Sequence, residues 1–165
     1  MKTIGFALLM FVCAFAAMGQ STTFSDPNVD FTFQIPDAKW KVVKTASAGR
    51  VEMFYGDRND GHLEIRKSTV AASTPMADII RDQEDKVQFK PSYVAGKQEH
   101  FNGKLSGTVF NFEYVESGRA KTGRYYILRS GDSVYILRFS GYQDSLRSIR
   151  PLTDSIARTF EIQSR

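Results

Sequence analysis

Cysteine is nearly absent. The one residue among 165, Cys13, excludes a disulfide scaffold and a cysteine-held zinc site. Histidine is almost as scarce, with only His62 and His100, and nothing in the sequence brings the two together. No heptad array, no collagen period and no repeat of about 20–50 residues is present, which excludes coiled-coil, triple-helical and solenoid architectures. What is present is a globular composition. Aromatics make up 13% and charged residues 24%, enough apolar surface to bury and too little charge for a disordered chain. The length is that of one domain.

Residues 1–19 stand apart. Lys2 is followed by an almost unbroken apolar run from Ile4 to Met18, and small residues close it at Ala17-Met18-Gly19. This pattern predicts a secretory signal peptide cleaved before Gln20. A membrane anchor would need about 20 apolar residues. A lipoprotein is excluded because Val12 precedes Cys13 where a small residue is required. The whole chain carries a net charge of +4, and Lys2 is the only charge in the leader, so the exported remainder carries +3 and no cysteine. Export to the periplasm or medium of a bacterium is the expected localisation, with no membrane span after cleavage.

Residues 20–28 are polar and read as a flexible lead-in, and residues 29–162 as a single domain. Val29 to Ile35 alternates strictly, predicting a strand with one wet face. Strands are also expected over Val51–Tyr55 and His62–Val70, joined by a hairpin turn at Asp60-Gly61. Ser73-Thr74-Pro75 reads as a hydroxyl cap opening a helix over 75–89. Strands follow at Leu105–Val115, Gly123–Ser130 and Ser133–Ser140. If Gly131-Asp132 forms a two-residue loop, Ile127 faces Ile136, Tyr126 faces Leu137 and Tyr125 faces Arg138. Both faces of that pair are apolar, so the two strands belong in the centre of a sheet. Helical spacing returns in 144–160, where Pro151 splits the stretch or opens a second helix. The expected fold class is α+β: an antiparallel sheet covered by helices on both faces, an α/β/α sandwich.

Motifs that carry chemistry are few. Asp57 to His62 mimics a calcium loop, but the sixth and twelfth positions are His62 and Ser68 where Gly and Glu are required. Gly118 to Gly123 mimics a phosphate loop, but Arg124 and Tyr125 follow where Lys and Ser or Thr are required, and a strand begins there. It is left as a basic, glycine-flanked hairpin tip. No nucleophile elbow occurs. His62 and Glu64 share a strand face, where a proton-transfer or metal pair could sit, but one His and one carboxylate make a poor site, and a solvated edge-strand histidine is the expected reading. No metal and no cofactor is expected.

Charge is uneven. Residues 116–165 hold nine basic groups and five acidic ones, and eight of the nine are arginine. Arginine suits forked binding of carboxylate or phosphate. Arg119, Lys121, Arg124, Arg129 and Arg138 are therefore the candidate binding residues for an anionic lipid, polymer or protein. Nucleic acid is not expected, since no recognition motif is present.

Three segments together resemble the PsbP-like family. They are Phe31-Thr-Phe-Gln-Ile35-Pro36 with Trp40, the tyrosine-rich pair around Tyr125-Tyr126-Ile127 and Val134 to Phe139, and the ending Asp154-Ser-Ile156-Ala-Arg-Thr159-Phe160. The resemblance spans 26–162. It implies the fold shared by the extrinsic photosystem subunit, a nuclear Ran-binding protein and many exported bacterial domains. It also implies a binding or assembly module in which catalysis is not the norm. Three functional expectations follow: a non-catalytic accessory module, an anion binder using the arginine-rich third, and an enzyme centred on His62 or His100.

Overall fold

A computed structural model describes residues 21–43, 49–57 and 60–163. The expected leader, residues 1–19, lies outside them.

The chain forms ten strands and three helices within the described residues. In order these are β1 (Thr22–Phe24), β2 (Phe31–Ile35), β3 (Trp40–Val43), β4 (Arg50–Tyr55), β5 (Gly61–Thr69), α1 (Met76–Asp85), β6 (Val94–Phe101), β7 (Gly107–Glu116), β8 (Arg119–Ser130), β9 (Ser133–Tyr142), α2 (Gln143–Ser148), α3 (Arg150–Thr159) and β10 (Glu161–Ile162). A seven-stranded antiparallel sheet runs β3-β4-β5-β9-β8-β7-β6, and a small sheet runs β1-β2-β10.

Two tight hairpins set the centre of the large sheet. Ser117-Gly118 joins β7 to β8 with both residues at positive φ, as a type I′ turn requires. Gly131-Asp132 joins β8 to β9 with only Gly131 at positive φ, the type II′ pattern. The register is the expected one: Ile127 pairs with Ile136, Tyr126 with Leu137 and Tyr125 with Arg138. Alternation then sends Tyr126, Leu128, Tyr135, Leu137 and Phe139 to one face, and Ile127, Val134 and Ile136 to the other.

Helical cover is thinner than the sandwich expected from the sequence. On one face α1 lays Ile79 and Ile80 on Ile127, Val134 and Ile136. On the other, the main core is closed jointly by α2, α3 and the small sheet. The architecture is therefore a sheet-dominated antiparallel fold, not a sheet between two helical layers. The physical reason lies in the aromatic residues of the small sheet. Phe31 and Phe33 are almost fully buried, and they stack with Phe24 and Phe160 at ring separations of 4.7–6.4 Å. They fill space that a further helix would otherwise take.

Local corrections follow from the same packing. The lead-in is not wholly loose, because Phe24 is buried and carries β1 onto β2. Thr32, placed on the wet face of its strand, is buried and donates its hydroxyl to the Phe24 carbonyl. Helix α1 has no side-chain cap from Ser73 or Thr74. The segment before it is instead held by Arg129, which donates to the carbonyls of Thr74, Ala71 and Ala72 at 2.5–2.8 Å. Pro151 sits in the first turn of α3, after a break at Ile149. Gly123 is not at the hairpin tip but inside β8, where it makes room for the Phe112 ring.

Candidate functional site

The face that carries α1 turns from apolar to charged beyond the helix. Residues at every second position of β4 and β5 project there, and cross-strand pairing sets Glu52 beside Glu64, and Glu64 beside Arg138. Glu64 is buried and meets Arg50 at 2.7 Å, Arg66 at 2.8 Å and Arg138 at 3.3 Å. Burial pushes the Glu64 carboxyl up, but the Arg66 hydrogen bond and the charges of Arg66, Arg50 and Arg138 outweigh it and hold it below the ordinary range. Arg138 also donates to Gln83 of α1 at 2.6 Å and lies over the Tyr125 ring. It ties helix to sheet.

A lowered carboxyl makes stability depend on acid. Glu64, Asp30 and Glu116 all titrate below their ordinary values in the folded chain. Each therefore contributes stability above its unfolded value, 4.5 for the glutamates and 3.8 for the aspartate, and loses it as pH falls through the lower folded value. Urea unfolding is expected to hold steady at neutral pH and weaken progressively from about pH 4.5 downward. Glu64→Gln is expected to flatten part of that fall; an unchanged acid limb would contradict the assignment.

His62 is not the solvated edge-strand histidine expected, since β5 lies between β4 and β9 and the ring is partly buried, and no His62–Glu64 pair forms because Glu64 is taken by arginines. His62 Nε2 meets Glu52 Oε1 at 2.9 Å, and the imidazole stacks on Phe54 at 4.8 Å. This pair borders a cleft of about 360 Å³ whose far wall holds Lys90, Glu116 and Lys121. Lys121 pairs with Glu116, Lys90 approaches the same carboxylate at 3.8 Å, and Lys90 lies over the Tyr114 ring at 4.2 Å. Ser140, opposite His62 on β9, lines the same cleft. His100 lies on the edge strand β6, separated from β5 by three strands.

A second concavity of about 190 Å³ opens on the opposite face. Its floor is two cross-strand pairs of β7 and β8, Asn111 with Arg124 and Glu113 with Thr122. Its wall is Gln143, Leu146, Arg147 and Arg150, spaced as one helical face across the α2–α3 junction. Arg124 is buried and makes three hydrogen bonds: Nε to the Tyr126 hydroxyl at 2.6 Å, Nη1 to Asn111 Oδ1 at 2.7 Å and Nη2 to Asp154 Oδ1 at 2.8 Å. Burial pushes the Tyr126 phenol up, and the nearby Asp154 carboxylate adds to the rise against the opposing charge of Arg124.

The five nominated basic residues thus part company. Arg129 and Arg138 are spent on internal contacts, and Arg124 commits three of its five N–H groups to them. Arg119 stacks on Tyr142, 3.5 Å from the ring centroid, and Lys121 pairs with Glu116. Sequence reasoning passed over Arg147 and Arg150; the 143, 146, 147, 150 spacing was the available signal. Among the described residues, no three His, Cys, Asp or Glu side chains gather as metal ligands, and no helix is long and apolar enough to cross a membrane.

No family model matches the chain, and no curated protein matches it. Solved structures do. Cyanobacterial PsbP (CyanoP) from Synechocystis superposes with a TM-score of 0.62 at 15% identity, over 93% of this chain and 98% of its own. The chain has the PsbP-like fold. LpqN, a Mycobacterium tuberculosis protein involved in cell envelope biogenesis, gives 0.60 at 16% identity, over 88% of this chain and 91% of that one. The Saccharomyces cerevisiae Ran-binding protein Mog1p gives 0.63 at 8% identity, over 87% and 96%. At these identities the likeness is one of fold alone.

Proposed function

We propose that this chain is an exported, non-catalytic accessory module that acts by binding. The observation that carries this reading is the state of the larger cleft. Its charges are already paired with one another: Glu52 with His62, and Glu116 with Lys121 and Lys90. General acid–base catalysis needs a group held ready toward a substrate, and among the described residues no hydrogen bond links the imidazole to the nearby Ser140 hydroxyl. The fold adds support, since one structural neighbour is a Ran-binding protein. Export rests on the leader read in residues 1–19, and it is consistent with a fold neighbour that takes part in envelope biogenesis.

A second reading, an enzyme centred on His62, has one observation in its favour: Ser140 lies opposite His62 in a cleft that also holds Glu52. An acid–imidazole–hydroxyl set is the arrangement that activates a serine nucleophile. No hydrogen bond joins Ser140 to the imidazole among the described residues.

One experiment separates the two. The purified chain is treated with a fluorophosphonate probe and with fluorogenic short-chain esters, beside His62→Ala and Ser140→Ala. The binding reading expects no labelling and the same background turnover in all three. Labelling at Ser140, or turnover lost in both variants, would establish the enzyme reading and end the first.

A further inference from the structure

We infer that the groove between β7–β8 and the α2–α3 junction is a binding site for a phosphate group. This deepens the binding reading above and rests on it. Three arginines, Arg124, Arg147 and Arg150, and one carboxylate, Glu113, line the groove; Arg124 is paired with Asp154 at 2.8 Å, so the surplus rests on Arg147 and Arg150 set against Glu113. The larger cleft on the other face offers no such excess, since its lysines share Glu116 and His62 holds Glu52.

Donor capacity points the same way. A guanidinium carries five N–H groups, and Arg124 commits three of them to Tyr126, Asn111 and Asp154. The remaining two sit on a side chain that is fixed by those same bonds, so little entropy is lost in using them. Arg147 has no ion pair among the described residues. Arg150 has only a loose contact with Glu99 at 3.6 Å, between two well-exposed side chains, a kind of pair that contributes little. Both are free to turn toward a ligand.

The fork of an arginine matches the oxygens of phosphate or carboxylate. The number of oxygens decides between them. A phosphate presents at least three oxygens and about −1.5 to −2 charge near neutral pH, enough to engage the Arg147 and Arg150 forks and the uncommitted N–H groups of Arg124 at once, whereas a carboxylate has two oxygens and one charge. Arg129 and Arg138 take no part, being bound to backbone carbonyls and to Glu64. The phosphate could be soluble or on a lipid headgroup; the chemistry at the groove is shared.

The test titrates the purified chain with inorganic phosphate against chloride at matched ionic strength, beside two double variants. Arg147→Gln/Arg150→Gln empties the rim of the groove. Arg81→Gln/Lys41→Gln removes the same charge from exposed sites away from the groove. The expected result is saturable binding by the parent chain that the first variant weakens at least about tenfold and the second leaves unchanged. Thermal unfolding of both variants checks that they are folded. No saturable binding, or equal weakening in both, would overturn the assignment. A parallel arm uses phosphatidylcholine vesicles with and without phosphatidic acid. Retention that needs Arg147 and Arg150 assigns the lipid source, and phosphate binding without retention assigns the soluble one. Retention that ignores both residues, with no phosphate binding, counts against the groove. If phosphate fails to bind while the esterase assays stay at background, the groove is wrong and the binding reading stands. Turnover that depends on His62 and Ser140 removes the binding reading itself.

Discussion

Replacing Arg124 by methionine is expected to cost the fold about 2–4 kcal/mol, since removing one partner of a buried ion pair leaves the other uncompensated. Methionine keeps the apolar length of the side chain but takes away donors to Tyr126, Asn111 and Asp154 together. The Tyr126 hydroxyl is fully buried beneath α3, so water cannot replace the lost donor there. Asp154 is partly exposed and recovers some solvation, which keeps the cost below that of a fully buried pair. The double variant Arg124→Met/Asp154→Asn is expected to be more stable than Arg124→Met alone, because the unpaired charge is gone. Urea unfolding midpoints check both statements. A single variant as stable as the parent would mean that the guanidinium is not holding α3 to the sheet.

Gly107→Ala is expected to be equally damaging, costing about 3 kcal/mol or more by overpacking. A methyl group at this position would stand 2.0 Å from the Ile127 carbonyl oxygen and 3.0 Å from the Leu128 Cα. Those are backbone atoms of the central strand β8, and they cannot turn aside as a side chain can. Relief requires β7 to separate from β8 where the two start to pair. The contrast with Gly118 sharpens the test. Nothing lies within 4 Å of a methyl group there, and the only penalty is its positive φ of 73°. Gly118→Ala should therefore fold at reduced stability, by about 1 kcal/mol, while Gly107→Ala should lose most of its soluble yield. Equal stabilities for the two would refute the close-approach argument.

The parts of this fold that were legible in the sequence are those where burial and turn chemistry agree. The β8–β9 pair is the clearest: a two-residue loop with glycine at its first position fixes the register, and both faces are apolar, so the centre of the sheet follows. The edges were not legible. Seven of the eight residues of β6 are exposed, and no apolar alternation marks them. The strand exists because its backbone pairs with β7, a long-range hydrogen-bonding fact that a local pattern does not carry. Strand β3 buries only Trp40 and was missed for the same reason.

The site was harder to read. Summing charge over residues 116–165 located an arginine-rich third, but not the partners of each arginine. Arg124 reaches Asp154, 30 residues on, and Arg138 reaches Glu64, 74 residues back. Those separations close only when the sheet forms, and they tie up two of the five nominated residues, as the carbonyls before α1 tie up a third, Arg129. The two arginines that remain outward at the groove, Arg147 and Arg150, were counted in the charge but not singled out. His62, expected to be solvated on an edge strand, instead meets Glu52 of the neighbouring strand, a cross-strand neighbour that a local pattern does not show.

Arg129 and Arg138 hold the fold, Arg147 and Arg150 face the groove, and Arg124 does both; one measurement tests that division directly. The arginine Nε–H resonances of the ¹⁵N-labelled chain are followed while inorganic phosphate is added at constant ionic strength. Arg147, Arg150 and Arg124 are expected to shift together and to saturate, while Arg129 and Arg138 stay in place. Shifts at Arg129 and Arg138, with Arg147 and Arg150 unmoved, would contradict it.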